Sequence, residues 1–240
     1  MKLISNFNKI ILIAIIALVA ASCNGFAPLK GNGTIVKSDK EVKDFSKVSF
    51  EGAFNVFISQ GEQTKLAIET DENLQEYIVA KVKSNKLTIK NKRNLSASKG
   101  INIYLTVAKI EEIDAAGAVI IKSDSKINAD KLAIDLSGAC NLTLDVNCVE
   151  LHADMEGYTT MKLVGAASVA DISASGSAEI YNFDMLFDYM KLKTKGSVKA
   201  KVNVITQLDV SVTGAGDVEY LGTPEVKKEI SGSGTVNKIF

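Results

Sequence analysis

Apolar and polar residues alternate along most of the chain, and the alternation is organised around glycines. Gly117, Gly138, Gly157, Gly176, Gly196, Gly214 and Gly232 follow one another at spacings of 21, 19, 19, 20, 18 and 18 residues. Counting six, four and two residues before each glycine and four and six after it gives 35 positions, of which 29 are apolar; the exceptions are Glu111, Ser123, Asn182, Thr194, Lys228 and Lys238. At the 35 interleaved positions only Ala116, Ile120, Ala133 and Tyr181 are apolar. A period of two on both sides of a fixed glycine predicts two strands per repeat, each with one face buried; the 3.6-residue period of a helix would blur the contrast.

Two short strands per repeat fit either parallel coils stacked on one another or an antiparallel meander or sandwich. The likeness of each column of residues from repeat to repeat favours stacked coils. Each glycine is followed by a small residue such as Ala118, Ala139 or Ser177, with Tyr158 the bulky exception, which suits a corner where neighbouring backbones approach closely. The expected fold class is therefore all-β: a single-domain parallel β-solenoid with coils of about 19 residues, regular from about residue 110. Seven coils at ~4.8 Å per step predict a rod of roughly 30 Å. Ahead of them, residues 48–58, 66–68, 87–89 and 101–107 read as further strands, with a turn at 60–62 and a loop at 91–100, while Leu74, Tyr77, Ile78 and Val82 fit a short helix or a strand. Pro224, Lys227, Lys228 and Lys238 fall on the last coil, where charges and proline protect an open edge.

Part of the apolar content belongs to the N-terminus rather than to the fold. Lys2 and Lys9 precede an uncharged apolar run at 10–20, which ends in Ala20-Ala21-Ser22-Cys23. This layout resembles a secretory signal ending in a bacterial lipobox, with Ala20 where that pattern usually has Leu, and it implies a diacylglycerol on Cys23. The expected organisation is a signal peptide at 1–22, a tether at 23–33 and the β-solenoid domain at 34–240. Membrane contact is expected through the N-terminal lipid, at the outer membrane of the cell envelope.

Composition narrows the chemistry. The 28 basic side chains balance 28 acidic ones, and without residues 1–22 the balance becomes 26 against 28, too neutral for a nucleic-acid partner. One His, three Cys and no Trp leave few groups for metal or acid-base chemistry, so neither a cofactor nor a metal is expected. Three outward carboxylates, Asp114, Asp135 and Asp154, occupy equivalent places in adjacent repeats, ~5 Å apart if the repeats stack, near the separation that retaining glycosidases use. They carry the alternative reading, a carbohydrate-active β-helix enzyme, against the bland one of a solvated face. His152 is a further acid-base candidate, with Asp154 or Asp171 as its partner, against the bland reading of an ordinary strand residue. The repeat around Gly196 turns five lysines outward, Lys191, Lys193, Lys195, Lys199 and Lys201. They either form an ion-pair ladder with Asp171, Glu179, Asp209, Asp217 and Glu219 or contact an anionic glycan or lipid headgroup. Cys140 and Cys148 are expected to be free thiols.

One resemblance runs through these residues. Phe45-x-x-Val48-x-Phe50-x-Gly52-Ala-Phe-x-Val56, then Lys86-Leu-Thr-Ile89, Ile101-x-Ile103-x-Leu105, Gly214-Ala-Gly-Asp-Val218 and Gly232-Ser-Gly-Thr-Val236 together resemble the auto-transporter adhesin head, or GIN-domain, family of envelope proteins over about residues 44–236. The resemblance implies a right-handed parallel β-helix-like fold and an envelope location, and it transfers no functional residue. The expected function is a non-catalytic, lipid-anchored envelope protein that acts as an adhesin, glycan-contact or structural module. Its partner would be a polysaccharide or a surface protein.

Overall fold

The computed structural model describes residues 27–239. The signal peptide expected at 1–22 and the lipidation site expected at Cys23 lie outside the described residues.

The fold is all-β. Its strands are β1 (Leu29–Lys30), β2 (Ile35–Lys40), β3 (Lys47–Gln60), β4 (Lys65–Asp71), β5 (Ile78–Lys83), β6 (Lys86–Asn91), β7 (Leu95–Ser96), β8 (Asn102–Val107), β9 (Glu112–Ser123), β10 (Ile127–Gly214), β11 (Asp217–Leu221), β12 (Glu225–Gly232) and β13 (Thr235–Lys238). β10 is a continuous run of extended chain bent at its glycines. One large sheet follows the order β13-β11-β10-β9-β3-β8-β4-β2, and β1 and β7 form a separate small pair.

β3 with β9, β9 with β10, β10 with β11 and β12, and β11 with β13 pair in parallel and in register. Gly52 pairs with Gly117, Gly117 with Gly138, and Gly214 with Gly232. The alternation dictates this register, because slipping by one residue would turn every apolar side chain out of the core. Around Gly138, Gly157, Gly176 and Gly196, all twenty positions taken as inward from the sequence are buried, including the polar Asn182 and Thr194. The glycines are forced by contact as well as by conformation. At Gly157 φ is +98°, and an added Cβ would sit 2.7 Å from the carbonyl oxygen of Gly138 below it.

The N-terminal third departs from the parallel expectation. β2 runs antiparallel to β4, β4 to β8, and β5 to β6. The β5–β6 hairpin turns through Ser84 and Asn85, both with positive φ (49° and 64°), a conformation that Asn tolerates well. The stretch 74–82 resolves into both alternatives, a 3-10 helix at Glu72–Tyr77 followed by β5. β7 interrupts the loop expected at 91–100 by pairing with β1. Within the stretch expected as a tether, residues 29–33 are fastened to the domain. Leu29 N and Gly31 N donate to Asn94 and Ser96 carbonyls at 3.0 and 2.9 Å, and Gly33 N donates to the buried Asp71 carboxylate at 2.7 Å. At the opposite end the last repeat is open, and Lys227, Lys228, Ile230 and Lys238 are exposed.

Candidate functional site

The sheet face just ahead of the glycine corner is the most structured feature of the surface. Asp114 pairs with Asp135 and Ser211 with Glu229, and the stacked glycines align the repeats between them. Residues three places before each glycine therefore form one column, Asp114, Asp135, Asp154, Ser173, Lys193 and Ser211. A second column one place before the glycine holds Ser137, Glu156, Ser175, Lys195 and Thr213. Side chains of both columns line a groove of about 560 Å³ that crosses five repeats, from Asp135 to Ser211 and Thr213. Its charge changes along its length. Asp135, Asp154 and Glu156 make one end acidic, Ser173 and Ser175 form a neutral hydroxyl belt, and Lys193 and Lys195 make the next repeat basic.

The three aspartates of the column are not equivalent. Lys86 Nζ lies 3.0 Å from Asp114 Oδ2, and Ser49 Oγ donates to the same oxygen at 3.1 Å. Lys86 also binds Glu112 at 2.9 Å, and Lys47 reaches Glu112 at 3.0 Å. The Lys86 hydrogen bond, supported by Lys47, holds Glu112 below the usual carboxylate range, and the bond to Glu112 raises Lys86 in return. Asp114 is thus neutralised from the N-terminal side and does not line the groove. Asp135 has no such partner among the described residues. Partial burial pushes its carboxyl above the ordinary range, and the charges of Asp154, Asp114 and Glu112 push it further. His152 Nε2 lies 3.0 Å from Asp154 Oδ2, both side chains being exposed.

The structure also divides the five lysines expected to act together. Lys193 and Lys195 line the groove. Lys191 and Lys193 border an adjoining depression of about 390 Å³ with Asp209, Ser211, Lys227 and Glu229. Lys199 and Lys201 lie beyond the glycine corner, opposite Asp217 and Glu219 in the ladder. Of the ladder anticipated from sequence, only the Lys201–Glu219 pair closes among the described residues, at 3.5 Å, and Lys191, Lys193, Lys195 and Lys199 make no ion pair there. Among the described residues no group of three or more His, Cys, Asp or Glu is arranged to hold a metal ion. Cys140 and Cys148 are free, and burial pushes the Cys148 thiol up to about 11.

Sequence reading picked out Lys195 but missed the rest of the second column. Glu156, Ser175, Lys195 and Thr213 occur at equivalent places in successive repeats, so the same positional count that found the aspartates would have found them. Lys86 and Lys47 were not foreseeable as partners of the acidic column, because β6 and β3 meet it through pairings across long sequence separations.

No curated protein matches the chain. Among similar solved structures, a "putative adhesin" from Bacteroides fragilis has 22% identity and a TM-score of 0.84, and the match covers 88% of this chain and 100% of that one. A "putative lipid binding protein" from Parabacteroides distasonis has 20% identity and a TM-score of 0.73, covering 89% and 100%. A "putative adhesin" from Parabacteroides merdae has 23% identity and a TM-score of 0.66, covering 88% and 99%. These likenesses establish the fold. Residues 44–224 match the family described as "Putative auto-transporter adhesin, head GIN domain", and the chain belongs to that family.

Proposed function

We propose that the protein is a non-catalytic module of the cell envelope, anchored at the outer membrane by a lipid on Cys23, that holds polysaccharide along the charged groove. In this reading residues 1–22 are removed, a short tether leads to Leu29, and the repeats coil as a right-handed parallel β-solenoid. The observation that carries it is the groove itself, in which carboxylates, hydroxyls and ammonium groups are set at regular intervals over five repeats. A rigid array of this kind suits an extended chain better than a compact small molecule, because many weak contacts add along its length.

The raised pKa of Asp135 favours a second reading, hydrolysis of the bound polysaccharide with Asp135 as proton donor and Asp154 as its partner carboxylate. One experiment separates the two. The full chain, purified in nonionic detergent, is expected to be retained on immobilised polysaccharides while releasing no reducing ends. Cleavage that disappears in Asp135→Asn would establish the second reading instead. Cys23→Ser is expected to move the protein from the membrane to the soluble fraction, and an unchanged distribution would overturn the anchor.

A further inference from the structure

Resting on the polysaccharide-contact reading, we infer that the groove selects a zwitterionic glycan, a linear chain carrying both ammonium and carboxylate groups along its length. Its cationic units lie over Asp135, Asp154 and Glu156, and its anionic units over Lys193 and Lys195.

Three features of the groove lead to this class of ligand. Both ends carry charge that the protein leaves largely unpaired: among the described residues Asp135 and Glu156 have no ion-pair partner, Asp154 has His152 alone at 3.0 Å, and no carboxylate pairs with Lys193 or Lys195. The ends cannot neutralise each other. The repeat holding Ser173 and Ser175 stands between Asp154 and Lys193, two steps of ~4.8 Å put the backbones of the two charged repeats about 10 Å apart, and no ion pair closes between them among the described residues. The intervening hydroxyls offer hydrogen bonds to uncharged sugar hydroxyls without favouring either sign of charge.

The same arrangement rejects the simpler ligands. A wholly anionic glycan would lay carboxylates against Asp135 and Asp154, where the carboxyls already repel one another strongly enough to help raise Asp135. A wholly cationic one would meet Lys193 and Lys195. A phosphoethanolamine headgroup carries both charges, but its ammonium and phosphate are only two carbons apart and cannot bridge two repeats.

The test uses three fluorescent hexasaccharides against the full chain in nonionic detergent: hyaluronan, its de-N-acetylated form in which glucuronate alternates with glucosamine, and a glucosamine hexamer. The expected result is that the de-N-acetylated form binds about fivefold tighter than either of the others, a margin fitting a few exposed ion pairs. Asp135→Asn with Asp154→Asn should erase its advantage over hyaluronan, and Lys193→Gln with Lys195→Gln its advantage over the glucosamine hexamer, each variant being checked for cooperative thermal unfolding. If a double variant fails to fold, the comparison of the three probes on the unaltered protein still decides. Equal binding of hyaluronan and its de-N-acetylated form overturns the inference while leaving polysaccharide contact standing. A preference that survives both double variants overturns the placement in this groove. Binding of none of the three, together with no retention on immobilised polysaccharide, overturns both.

Discussion

Asp135 and Glu112 lie on the same outward face, and their surroundings push them in opposite directions. Asp135 has a folded-state pKa above its unfolded one, so the stability tied to its protonation is full below about pH 3.9 and is lost as pH rises through the folded value. Asp135→Asn is therefore expected to raise the melting temperature at pH 7, on the order of 1 °C for a partly exposed group, with the gain vanishing toward pH ~4. Thermal melts at the two pH values check it, and an equal or lower value at pH 7 would refute the account. Glu112 is depressed by Lys86 and Lys47, so its contribution is present above its unfolded value of about 4.3 and is lost as pH falls through the lower folded value. Glu112→Gln should accordingly lower the melting temperature at pH 7 and matter little in acid.

At the scale of the strand and its corner, the glycine column is the least replaceable feature. An alanine at Gly157 would have to adopt a positive φ with its methyl group against the Gly138 carbonyl. We expect Gly157→Ala to cost at least ~2 kcal/mol, measurable by urea unfolding of the full chain in detergent. Thr194 offers the opposite opportunity. Its side chain is buried in an inward position and its Oγ1 lacks a hydrogen-bond partner, so the near-isosteric Thr194→Val should stabilise by about 1 kcal/mol in the same assay. These central repeats were legible in the sequence because each strand's burial is decided by its own alternation, which needs no knowledge of distant residues. The beginning of the stack was harder to read. Gly52 belongs to the glycine column, but 65 residues separate it from Gly117, and the intervening antiparallel strands obey pairings that no local period announces. The site was half legible for the same reason. A column that repeats along the chain can be counted, whereas the lysines that neutralise Asp114 and Glu112 arrive from β3 and β6.

Across the whole molecule, each repeat rests on its neighbours, and stability approximates a sum over interfaces rather than over one central core. The ends should therefore loosen before the middle. Among the described residues β12 and β13 pair on one side only and are mostly exposed, whereas the glycines of central β10 are stacked between those of the repeats on either side. In hydrogen exchange, amides of β9 and central β10 are expected to be the slowest and those of residues 225–238 to exchange markedly faster. Uniform protection across the repeats would contradict this picture. Most of the groove lies within the better-supported stretch, and its charges keep their spacing because the backbone beneath them is held from both sides.

The fastening of residues 29–33 sets how the molecule meets mechanical load. A pull applied to the chain ahead of Leu29 reaches the domain first through the hydrogen bonds of residues 29–33, Leu29 N to Asn94 O, Asn73 Nδ2 to Lys30 O, Gly31 N to Ser96 O, Asn32 N to Asn73 Oδ1 and Gly33 N to Asp71 Oδ1. Only when they part does the tension fall on the longer β2–β4 ladder. The N-terminal fastening is thus a shock absorber, giving by a few residues of chain while the repeats that carry the groove remain unstrained.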